Sequence, residues 1–177
     1  MGRQSHEIAF CGVSAALGTV LLLLGGLIPG ATYCAPVLGM LPLLPVLAEY
    51  GWRSALGVYG VTAVLALLLT PDKELAGVYL FLGYYPVLRP ALERFHNRLV
   101  RLICKLVVFN AAVLALYFLL LQVLGLAMLE TEFEEYSTPF LIALLGGGNL
   151  VFLLLDRALG QLMLLWRYRL RRLFFRH

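Results

Sequence analysis

From Ile8 to Ile28 the chain runs without a single charged side chain. A stretch of that length suits the hydrocarbon of a bilayer, which a helix crosses in about 20 apolar residues. Five further stretches are apolar over most of their length: Ala35 to Ala48, Ser54 to Thr70, Leu75 to Leu88, Leu99 to Met128 and Pro139 to Trp166. Hydrophobic residues make up 62% of the chain and charged residues 14%, with a mean hydropathy of +0.89. Soluble domains are about half apolar and one-quarter charged, so the composition excludes that class. The expectation is an all-α integral membrane bundle of about six transmembrane helices, forming one transmembrane domain over residues 1–177. The apolar run beginning at Ile8 is read as a retained first span, not a cleaved signal. The second stretch carries Pro36, Pro42 and Pro45. Each proline removes a backbone donor and clashes one turn back, so a kinked or broken helix is predicted there.

Charge sets the orientation. With the N-terminus inside, every one of the 14 Lys and Arg residues except Lys73 falls on an inner flank. Asp72, Glu74, Glu130, Glu132, Glu134 and Glu135 fall outside. This is the positive-inside pattern. It predicts an even number of crossings, both termini in the cytoplasm and a place in the plasma membrane of a bacterial cell.

Catalytic signatures are missing from the sequence. His6, His96 and His177 stand apart and form no HExxH, and no Walker loop, GxSxG turn or GxGxxG motif follows a strand. Cys11, Cys34 and Cys104 are odd in number and have no CxxC spacing, which argues against a disulfide framework or a zinc site. The chain is therefore expected to be no enzyme, to hold no cofactor or metal, and to bind no nucleic acid. Gly146, Gly147 and Gly148 lie inside the last apolar stretch with no lysine nearby, a setting for close helix packing and not for a phosphate cradle.

Polar groups inside a membrane are costly and so invite a functional reading. Asn110 and Gln122 fall in the fifth span, Asn149, Asp156 and Arg157 in the sixth, and Glu49 and Arg53 at an inner turn. Asp156 and Arg157 point about 100° apart on a helix, so each reaches a different neighbour; an arginine near the inner surface is the expected partner of Asp156. Outside, Thr70 to Glu74 makes a tight turn into the fourth span, and Tyr79 lies about 9 Å below Lys73 if that span is helical. Tyrosines beneath a charged rim suit an outward-facing pocket or an interfacial aromatic belt. Tyr84, between Gly83 and Pro86, is expected to lie deeper. The acidic, aromatic segment Glu130 to Tyr136 reads as a lid or as a plain solvated loop.

Inside, Arg94, Arg98, Arg101 and Lys105 recur at helical spacing opposite Leu92, Phe95, Leu99 and Leu102, and the tail from Trp166 repeats the pattern. Such stripes lie on anionic lipids. The first span opens with Gly12 and Ala16 at a small-xxx-small spacing, widened by Ala9, Ser14, Ala15 and Thr19. That smooth patch admits a neighbouring helix, from this chain or another.

About 180 residues in six spans, a small-residue patch on the first span, Gly25-Gly26-Leu27-Ile28-Pro29 after it, a proline-broken second span and pocket-like outer loops together resemble the substrate-binding S components of energy-coupling factor transporters. The resemblance covers the whole chain in architecture. It implies a coupling face at Gly12, Ala15 and Ala16 for the shared transmembrane coupling subunit, itself bound to ATPase subunits. It also implies a vitamin-like small molecule or a trace metal held near Asp72, Lys73, Tyr79 and the Glu130 to Tyr136 loop, which contains Glu132; Tyr84, Asn110 and Asn149 are substrate-binding candidates from their own positions in the spans. The N-terminal metal-binding histidine of nickel and cobalt members is missing here, so the substrate is left open. The alternative is a membrane scaffold that docks partners through its basic inner helices.

Overall fold

A computed structural model describes residues 2–28, 30–122, 138–166 and 168. Among them are eight helices and no strand: α1 (Gly2–Leu27), α2 (Cys34–Met40), α3 (Leu43–Tyr50), α4 (Trp52–Leu69), α5 (Lys73–Leu82), α6 (Tyr85–Leu92), α7 (Arg98–Gln122) and α8 (Thr138–Leu165). The described residues are helical, as the all-α class expected from composition requires. Among them four helical segments are long and apolar enough to cross a bilayer: Gln4–Leu27, Trp52–Leu69, Arg98–Leu116 and Leu145–Leu165.

The second and fourth apolar stretches are each two shorter helices, and proline chemistry accounts for this. Between α2 and α3 the chain turns at Leu41 and Pro42. Pro42 has no N–H to give, and the break is bridged by shorter-range bonds from Leu41 N to Leu38 O and from Leu44 N to Leu41 O, both 3.1 Å. Between α5 and α6 the turn falls at Gly83 and Tyr84, just before Pro86. A side chain on Gly83 would meet the backbone oxygen and ring of Tyr79, so only glycine fits there. Gly51, at φ 86°, makes the left-handed corner from α3 into α4. The inner basic stripe is not one helix: α6 ends at Leu92 and α7 starts at Arg98, leaving Arg94 on the turn between them.

The chain forms two compact units, one of residues Met1–Ala91 and Leu159–His177, the other of Leu92–Ala158. In the first, α1 packs against α2, α3 and α4, and α5 packs against α2 and α4. One buried cluster gathers Leu22, Met40, Ala63, Ala66, Leu75 and Tyr79; a second gathers Ala15, Leu43, Val46, Ala55, Val58 and Val87. The approach of α1 to its neighbours is made by Gly18 and Gly25. A methyl on Gly18 would lie 3.2 Å from the Thr62 side chain, and one on Gly25 would collide with Cβ of Ala35. Burying small residues lets helix backbones come close without cavities.

The second unit is a helical hairpin. Along α7 and α8 three contacts descend one helix as they ascend the other: Lys105 with Asp156, Phe109 stacked on Phe152 at 4.5 Å between ring centres, and Asn110 with Asn149.

Candidate functional site

At the turn before α5, Asp72 accepts from Leu75 N at 3.0 Å and from Thr32 Oγ1 at 2.8 Å. The first is an N-cap, satisfying one orphan donor of the helix. Lys73 Nζ donates to Leu67 O at 2.8 Å and to Thr70 O at 3.0 Å, closing the carbonyl end of α4 where a cation is favoured. Tyr33 Oη donates to Glu74 Oε1 at 2.5 Å. The turn expected to rim a ligand pocket thus holds the ends of α4 and α5 to the segment before α2.

Tyr79 is fully buried among Leu22, Met40 and Leu75, so it lies in the core, not in a belt at the surface. By distance and angle its hydroxyl makes no hydrogen bond among the described residues, and neither does that of the equally buried Thr70. Tyr59 stands between Tyr79 and Tyr84, with ring centres 5.9 Å and 6.2 Å away, and donates its hydroxyl to Leu80 O. Tyr84 is half-buried at the edge of this aromatic row.

In the hairpin unit, Asn110 Nδ2 donates to Asn149 Oδ1 at 2.9 Å, and Asn149 Nδ2 returns a bond to Asn110 Oδ1 at 3.5 Å. Each amide also donates to the carbonyl four residues back, Leu106 and Leu145, at 2.8 Å. All four amide N–H groups are used, so the pair reads as a clasp between helices. Asp156 meets Lys105: Lys105 Nζ lies 2.6 Å from Asp156 Oδ2 and 3.8 Å from Glu93 Oε1. Gly148 faces the Phe109 ring, while Gly146 and Gly147 face open space. Glu132 and the rest of the Glu130 to Tyr136 segment lie outside the described residues, as does the basic tail beyond 168.

At the expected coupling face lies a groove of about 480 Å³ between α1 and α4. Cys11, Gly12 and Ala15 form one wall; Ser54, Gly57 and Val61 form the other. A methyl built on Gly12 or Gly57 meets nothing within 4 Å, in contrast to Gly18 and Gly25. Ala15 points inward at 7% exposure, whereas Gly12 and Ala16 are exposed. At one end Ser54 Oγ donates to Glu7 Oε1 at 2.6 Å, and His6 Nδ1 and Tyr50 Oη share a 2.7 Å hydrogen bond. These contacts hold α1 to α3 and α4 while the groove beside them stays open. The α4 wall was not anticipated; Ser54, Gly57 and Val61 recur at helical spacing, and that was its only signal in the sequence.

No family model, curated protein or solved structure matches the chain.

Proposed function

We propose that this chain is a non-enzymatic, substrate-binding membrane subunit of an energy-coupling factor type transporter for a vitamin-like nutrient. It crosses the plasma membrane about six times with both ends in the cytoplasm. In this reading α2 with α3, and α5 with α6, supply two crossings from paired short helices. At 1.5 Å per residue, Cys34–Tyr50 reaches about 25 Å and Lys73–Leu92 about 30 Å, near the hydrocarbon thickness. Breaks in such helices are tolerated where protein buries them, and Pro42 and Pro86 are both buried.

The observation that carries the reading is the open groove at Gly12 and Gly57. The chain uses Gly18 and Gly25 for its own packing and leaves Gly12 open, which suits a helix from a separate coupling subunit. One observation favours the scaffold alternative. Asp72, Lys73, Asn110 and Asn149, expected to hold a substrate, are all hydrogen-bonded to neighbouring parts of the chain.

The test is native mass spectrometry of the protein gently purified from its own membranes, as wild type and as Gly12→Leu and Gly57→Leu. The transporter reading expects coupling and ATPase subunits to co-purify with wild type and to be lost from both variants. Recovery of unrelated membrane partners through the same groove would move the scaffold reading to first place. Association that is indifferent to both leucines would remove the groove from the argument.

A further inference from the structure

Where Lys105 and Asp156 pair, α7 and α8 enclose a cleft of about 520 Å³. The ion pair forms its floor, with Lys105 at 6% and Asp156 at 8% exposure. Above it stand Arg98, Arg101 and Arg157, which also line the cleft. Arg98 and Arg157 are exposed and Arg101 half-buried, and none of the three pairs with a carboxylate among the described residues. Glu93 and Asp156 are the only acids in the lining, against four basic groups, so the cleft carries a net charge of two positive.

The surroundings decide what kind of anion fits. Leu150 and Leu154, on the same wall, are more than half exposed, and Leu102 is 40% exposed. An apolar strip therefore continues directly from the guanidinium groups. Helix length puts the junction at the membrane surface. With 25 and 28 residues, α7 and α8 measure about 37 Å and 42 Å, against roughly 30 Å of hydrocarbon. Their charged ends therefore reach the headgroup layer.

We propose that this cleft is a specific site for one anionic glycerophospholipid of the leaflet that the start of α7 faces. The phosphate is held by the Arg98, Arg101 and Arg157 guanidinium groups, whose planar donors match phosphate oxygens, and the acyl chains lie along Leu102, Leu150 and Leu154. Arg157 was expected to seek a partner within the protein; here it joins the inner basic stripe from the opposite helix. Lys105, by contrast, is withdrawn from that stripe by Asp156. Net charge selects the headgroup, because a zwitterionic lipid would return an ammonium group to a cluster of guanidinium groups. The proposal rests on the membrane-spanning reading of α7 and α8 and is independent of any coupling subunit.

The experiment is native mass spectrometry of the full chain released from nanodiscs containing a zwitterionic and an anionic glycerophospholipid, with Arg101→Gln/Arg157→Gln and Arg94→Gln as variants. Wild type is expected to retain one anionic lipid per chain. The double variant loses that preference by on the order of thirtyfold, the scale of two surface cations at an anionic membrane. Arg94→Gln, on the turn outside the cleft, retains it. Equal retention of the two lipids by wild type would overturn the proposal, as would equal losses in both variants. Displacement of the lipid by millimolar inorganic phosphate would assign the cleft to a free anion instead. Circular dichroism of the double variant identifies a folding defect, in which case the wild-type preference and the phosphate competition decide.

Discussion

At the residue scale, Tyr79 separates a binding role from a packing role. Its ring fills the space between α1, α2 and α5, while its hydroxyl is buried with no well-formed hydrogen bond among the described residues. An unmet buried hydroxyl costs about 1–3 kcal/mol. Tyr79→Phe is therefore expected to leave stability unchanged or raise it by about 1 kcal/mol, read from denaturation in detergent. A loss of several kcal/mol would mean that the hydroxyl has a partner in the membrane. If Tyr79 holds a substrate, the same variant weakens that ligand without weakening the fold. Asp72 illustrates what local sequence can reveal: Pro71-Asp72-Lys73-Glu74 announces a helix start, and Asp72 caps α5. That the same carboxylate also takes Thr32, forty residues earlier, has no local signal.

At the scale of elements, α7 and α8 are joined by polar contacts between their facing sides. The Lys105 and Asp156 pair is nearly dry, and a dry pair and a broken dry pair differ sharply in cost. Lys105→Met takes away the cation that lies 2.6 Å from the buried Asp156 carboxylate and is expected to destabilise by about 1–3 kcal/mol. Lys105→Met/Asp156→Leu restores part of that loss, because two apolar side chains leave no buried charge between them. Thermal unfolding of the two variants in one detergent checks this. Equal destabilisation would show that the carboxylate left behind by Lys105→Met carries none of the cost. The proline-directed division of α2 from α3 was legible in the sequence because proline acts on its own backbone. The choice of Lys105 as partner of Asp156 was not, since charges 51 residues apart meet only through the register of two helices.

At the scale of the whole molecule, the side on which Arg53, Pro71 and Arg94 lie distinguishes six crossings from four. In a six-crossing arrangement, Arg53 and Arg94 share the inner side and Pro71 faces outward. In a background without native cysteines, a membrane-impermeant thiol reagent should label Pro71→Cys in intact cells, and Arg53→Cys and Arg94→Cys only after permeabilisation. Labelling of Arg53→Cys in intact cells would mean that α2 and α3 re-enter on one side and would leave four crossings.

The sequence by itself determined the helical character of this protein and the helices long and apolar enough to cross a bilayer, because apolar content and backbone donor satisfaction are properties of composition and local spacing. It also determined where prolines divide helices. Only the tertiary structure decided which small residues are spent inside and which stay open. Gly12, Gly18 and Gly25 are alike in sequence; Gly18 and Gly25 touch α2 and α4, and Gly12 faces an open groove. It likewise decided that Tyr79 is core and that Arg157 joins Arg98 and Arg101. Each of these depends on which surface of a helix another helix covers, a relation between distant segments that no local pattern encodes.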